Sequence, residues 1–112
     1  MNEISIFKTK LTDLQENILI ELDKTFNTSF ICKKLNIKPI TLSKTIQSLS
    51  EKELISNNEL TIDGKKMVNY LNFRNDTILS FLRKINVSPT PETISQMSKL
   101  NYRIIIAIKN LI

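Results

Sequence analysis

Histidine is absent from this sequence, and cysteine occurs once, at Cys32. The commonest general base and the commonest transition-metal ligand are therefore both missing. No paired-cysteine spacing replaces them, no nucleophile stands beside a base, and the single glycine, Gly64, cannot make a glycine-rich phosphate loop. Asp13, Glu16 and Asp76 are left as scattered oxygen donors, and each reads as a solvated helix carboxylate. The expectation is a protein without catalytic residues, without a metal site and without a cofactor.

The chemistry that remains is recognition. From Lys38 to Ser50 no carboxylate interrupts the chain, whereas Asp13, Glu16, Glu21 and Asp23 crowd a segment just upstream. The carboxylate-free stretch offers Thr41, Ser43, Lys44 and Gln47, groups that can reach base edges and phosphates in a major groove wide enough for a helix. Lys38, Pro39, Ile40 and Ser48 complete that candidate surface. Asn57 and Asn58, then Lys65 and Lys66, are candidates for contacts from the flank. A formal net charge of +5 fits a polyanionic partner. A chain rich in Lys, Asn and Ile would be basic in any case, so the placement of the charge says more than its sum.

These residues need elements to hold them. Thr12 and Gln15 form a capping box, followed by Leu14, Ile18 and Leu22 on one face of a first helix ending near Lys24. Asn27, Thr28 or Ser29 caps a short second helix that carries Ile31, Cys32 and Leu35 inward and stops at Asn36. Pro39 opens a third, buried through Leu42, Ile46 and Leu49. Two very short strands then flank Asn57-Asn58, a pair that tolerates the positive φ of a tight turn. Thr61 caps a long helix over about residues 62–86. The breaker cluster Val87-Ser88-Pro89-Thr90-Pro91 separates it from a short helix with Ile94, Met97 and Leu100 inward. Asn101 caps a last helix. Ile4, Ile6 and Phe7 are candidate anchors onto the core.

A helix-turn-helix requires a small residue where its helices cross, a residue tolerant of the left-handed conformation in the turn, and apolar residues that lock the angle. Cys32, Asn36 and the set Ile31, Leu35, Ile37 and Leu42 meet these needs in register. With the hairpin, the order is that of a winged helix. The fold expected is mainly α: a winged helix-turn-helix over 1–66, then a long helix and two short ones over 67–112, forming one compact unit. Ile104, Ile105, Ile108 and Leu111 make the last helix too apolar for an exposed terminus, and they are the expected dimerisation surface.

Ser29-Phe30-Ile31-Cys32-Lys33-Lys34-Leu35-Asn36-Ile37, Pro39 with Leu42-Ser43-Lys44, Leu60-Thr61-Ile62-Asp63-Gly64-Lys65-Lys66, and Phe73-Arg74-Asn75 leading to Phe81-Leu82-Arg83 recur in kind elsewhere. Over roughly residues 11–110 the chain resembles the diphtheria-toxin-repressor and manganese-transport-regulator family. Its Leu-Thr-x-x-Gly-Lys element is shared by many winged helices, the MarR type included. The resemblance implies a homodimeric repressor switched by a divalent metal. The family's ligand histidine would fall at Asn75, and its next ligands within Ser95-Gln96-Met97-Ser98-Lys99, so the metal switch does not carry over.

The expected function is sequence-specific binding of double-stranded DNA by a dimeric, metal-independent transcriptional regulator. The alternative is a winged-helix module that docks proteins, favoured by Ile40 and Phe30 on otherwise polar faces. The single cysteine, the lack of an apolar run of membrane length and the absence of a secretory pattern at Met1-Asn2-Glu3-Ile4 lead one to expect the cytoplasm.

Overall fold

A computed structural model describes residues 10–112, so Ile4, Ile6 and Phe7 lie outside the described residues. The described chain is mainly helical with one two-stranded antiparallel sheet. Its order is α1 (Asp13–Lys24), α2 (Thr28–Leu35), α3 (Pro39–Glu51), β1 (Ile55–Ser56), β2 (Glu59–Leu60), α4 (Ile62–Lys84), α5 (Pro91–Met97) and α6 (Tyr102–Leu111). Contacts gather in two compact units, Met1–Asn69 and Tyr70–Ile112. The division falls inside α4.

Local chemistry accounts for where these helices begin. At α1 the Thr12 hydroxyl accepts the Gln15 amide N–H (3.1 Å), and the Gln15 side chain accepts the Thr12 N–H (2.9 Å). Asn27 caps α2 by accepting the Phe30 N–H at 3.0 Å. α3 has no side-chain cap and starts instead on Pro39, whose missing N–H is one fewer donor to satisfy. The Thr61 hydroxyl accepts the Gly64 N–H (3.0 Å) at the start of α4, and donates to the Glu53 carbonyl (2.7 Å).

Three helices end in the same way. A residue in the left-handed region follows the last turn, and the next N–H reaches back five residues to a carbonyl. Asn36 (φ 54°, ψ 52°) does this after α2, with Ile37 N–H to Cys32 O at 3.0 Å. Glu53 (φ 62°) and Asn86 (φ 59°) do it after α3 and α4, with Leu54 N–H to Leu49 O (3.0 Å) and Val87 N–H to Leu82 O (2.8 Å).

In the first unit, α3 packs against α1 and α2, β1 against α3, and β2 against α1. Ile18, Leu19, Leu22, Ile31, Leu42 and Leu49 are buried there. Glu21 is buried too, and Lys34 of α2 reaches its carboxylate at 2.9 Å, fastening α1 to α2. The hairpin pairs Ile55 with Leu60 and Ser56 with Glu59, so the apolar pair faces in and the polar pair faces out. Asn57 (φ 53°) and Asn58 (φ 60°) form its two-residue turn, the geometry that suits a right-twisted hairpin. Gly64 presses onto the hairpin's base. A Cβ there would lie well inside contact with the Leu54 carbonyl oxygen and 3.3 Å from Leu60 Cβ.

In the second unit Ile78, Leu82 and Ile105 form a buried cluster, against which Phe73, Ile94, Met97 and Leu100 pack. Tyr70 and Tyr102 meet at 5.8 Å between ring centres in a tilted arrangement. The set of four apolar residues expected to pair two chains therefore divides. Ile105 and Ile108 are buried within the chain's own fold, while Ile104 and Leu111 are exposed. At helical spacing, residues 104 and 111 share a side of α6, residue 105 lies about a quarter turn away, and residue 108 falls between them. Among the described residues, no helix is long and apolar enough to cross a membrane.

Candidate nucleic-acid interface

α3 carries most of the candidate recognition residues, and its burial pattern sorts them. Leu42, Thr45 and Leu49 form the inward face, so Thr45 stands where Ile46 was expected; Ile46 is half-buried. The Thr45 hydroxyl is satisfied by donating to the Thr41 carbonyl at 2.8 Å, which makes a hydroxyl tolerable in this core position. Opposite this face Ile40, Ser43, Lys44 and Gln47 are all exposed. Ile40 keeps 60% of its surface in water, unusual for a β-branched residue on the most polar side of a helix.

The remaining α3 candidates play other parts. Ser48 is half-buried, and its hydroxyl accepts a hydrogen bond from the Gln15 amide of α1 at 2.9 Å. It joins α1 to α3 and is not presented outward as a base reader. Thr41 is half-buried on the same flank. Lys38 and Pro39 are exposed where the turn enters α3, so Lys38 is the cation nearest the helix start.

Beside the outer face runs an open groove of about 440 Å³, with Thr28, Ser29, Cys32, Ser43, Ile46 and Asn58 among its walls. It brings the hairpin turn to α3 and to the start of α2. Asn58 thereby lines the same groove as Ser43 and Ile46 of α3, with exposed Asn57 beside it. The hairpin also exposes Glu59, so its amides are flanked by a carboxylate. By residue type Thr28 and Ser29 are possible caps of α2. With Asn27 in that role, their side chains are left exposed at the groove. Spacing alone could not separate a cap from its two neighbours. Cys32 is half-buried in the groove wall rather than fully enclosed.

Lys65 and Lys66 are exposed on the first turn of α4, fixed to the hairpin's base through Gly64. In the second unit, Asn75 stands where the resemblance would put a metal ligand. Its side-chain oxygen accepts from Arg74 twice, from Nε at 3.2 Å and Nη2 at 2.9 Å. A buried guanidinium on that oxygen opposes a cation, so the residues present do not fit a metal. Among the described residues, no three Cys, Asp or Glu side chains come together as a ligand set.

Compared with protein-family models, with curated proteins and with solved structures, the chain matches none, so the family resemblance rests on the residues quoted for it.

Proposed function

We propose that the chain is a winged helix-turn-helix regulator of transcription that binds double-stranded DNA with α3 in the major groove. One observation carries this reading: the outer face of α3 is exposed, free of carboxylates from Lys38 to Ser50, and built from Ser43, Lys44 and Gln47 around Ile40. The element order supports it. Helix, helix, a left-handed turn at Asn36, helix and hairpin is the order of a winged helix, and Asn58 shares a groove with Ser43. A metal-independent repressor is the form proposed, because Asn75 is engaged by Arg74 and no histidine exists. Dimerisation is proposed through exposed Ile104 and Leu111 on α6, which would set two α3 helices on a pseudo-palindromic site.

Fluorescence anisotropy with a labelled random duplex, at several salt concentrations, tests the proposal. Binding should weaken steeply with salt, since each neutralised phosphate releases condensed counterions. Alanine at Lys44, Lys65 or Lys66 should lower the slope of log K against log salt by about 1 per lysine removed. A folded triple variant with the parent's affinity and slope would refute this docking geometry. A second reading, in which the same face docks a protein, draws on Ile40 and on Phe30, 50% exposed on α2. Absence of duplex binding even at low salt would favour it.

A further inference from the structure

We infer that the outer face of α3 is built to read A·T base pairs, with Ile40 seated on a thymine methyl and Gln47 on an adenine edge. The inference rests on the DNA-binding reading and deepens it.

Ile40, Lys44 and Gln47 follow one another at four and three residues, so they share one exposed stripe of α3. Ile40 is the second residue of that helix, and the N-terminal residues of a recognition helix are those that meet base edges. Most of its surface, 60%, is left open to solvent. Among the groups on base edges in the major groove, the thymine C5-methyl is the one that apolar side chains contact. A branched apolar side chain among polar neighbours matches that group and no hydrogen-bonding edge. Gln47, two turns along, carries the amide that pairs bidentately with adenine N6 and N7.

What the face lacks points the same way. Guanine is most often read by arginine, and arginine occurs in this chain only at 74, 83 and 103, outside the unit that contains α3. Cytosine is read by a carboxylate accepting from N4, and none stands between Lys38 and Ser50. Glu51 lies on the same stripe but about 16 Å along the axis from Ile40, at a rise of 1.5 Å per residue. Lys44 is the one side chain of the stripe that could reach guanine, and its flexible point charge suits phosphate equally.

Duplexes selected by the full chain from a random pool should contain T·A pairs in each half-site. Replacing the thymines one at a time with deoxyuridine removes only the methyl. One such position should weaken binding roughly fourfold per half-site, equivalent to about 0.8 kcal/mol for one methyl group. Ile40→Ala, which alters an exposed residue and should melt with the parent, should bind more weakly and lose that sensitivity. Gln47→Ala should keep it. If the duplex is bound in a salt-dependent way but every deoxyuridine is silent, or if Ile40→Ala stays as methyl-sensitive as the parent, the inference is overturned while DNA binding stands. If no duplex is bound at low salt, the underlying reading fails and this one with it.

Discussion

Substituting Gly64 with alanine sets two effects of opposite sign against each other. Helix propensity alone favours alanine by at most about 1 kcal/mol. Gly64, however, is where α4 meets the hairpin, and an alanine Cβ would overlap the Leu54 carbonyl oxygen and lie 3.1 Å from the Leu54 carbonyl carbon. That oxygen cannot swing aside freely, because it accepts the Thr61 N–H at 3.0 Å. Forcing a methyl into such a contact costs about 1–3 kcal/mol. Losing or stretching the hydrogen bond adds about 0.5–1.5 kcal/mol. The clash wins, and Gly64→Ala should lose about 1–3 kcal/mol. In urea, at a slope of about 1–2 kcal/mol per molar, the midpoint should fall by roughly 1 M, followed by far-ultraviolet circular dichroism. Asn69→Ala, exposed on the same helix, is the control and should be neutral or slightly stabilising. A Gly64→Ala midpoint equal to or above the parent's would show that the close approach to Leu54 is not a constraint.

Two further substitutions test other parts of the reasoning. Glu53 holds φ at 62° with a side chain that gains nothing from it, so Glu53→Gly should raise stability by about 0.5–1 kcal/mol in the same denaturation assay; a lower midpoint would mean that this turn is not strained. Ile104→Lys combined with Leu111→Lys alters exposed positions and should leave the circular dichroism unchanged while halving the mass seen by light scattering, whereas Ile105→Lys should unfold the Tyr70–Ile112 unit because it buries an unpaired charge. A single-chain mass for the parent at micromolar concentration would remove the dimer from the proposal.

Element boundaries were legible in the sequence wherever a polar side chain serves the backbone within a few residues. Thr12 with Gln15, Thr61 and Asn101 cap the helices they were expected to open, Asn27 does so as one of three candidates, and Thr90 caps α5; in each case the partner N–H lies three residues away and its position follows from helix geometry. Asn36 and the Asn57-Asn58 turn were legible for the same local reason. Glu53 was not: it occupies the conformation that asparagine takes after α2 and α4, and nothing in a glutamate announces it. Its conformation follows from the pairing of Leu54 N–H with Leu49 O and from the Thr61 hydroxyl on its own carbonyl. Spacing also could not show where contacts would divide the chain, since apolar residues run through α4 on both sides of Asn69 without a break.

The candidate surface obeys the same rule. Residue types alone put Thr41, Ser43, Lys44, Gln47 and Ser48 on one list, but whether a hydroxyl is free to meet a ligand depends on partners distant in sequence. Ser48 is engaged by Gln15, thirty-three residues earlier, and that pairing exists only because α1 and α3 pack together. Gln15 thereby has two tasks. Its oxygen accepts the Thr12 N–H and completes the α1 cap, while its amide nitrogen donates to Ser48 and fixes α3 against α1. What is left outward around Ile40 is a narrower set than composition suggests: Ser43, Lys44 and Gln47. On the proposed DNA-binding reading, specificity on such a face would come from few, well-placed groups rather than a dense array of hydrogen bonds, and the isoleucine would contribute only where the duplex presents a methyl.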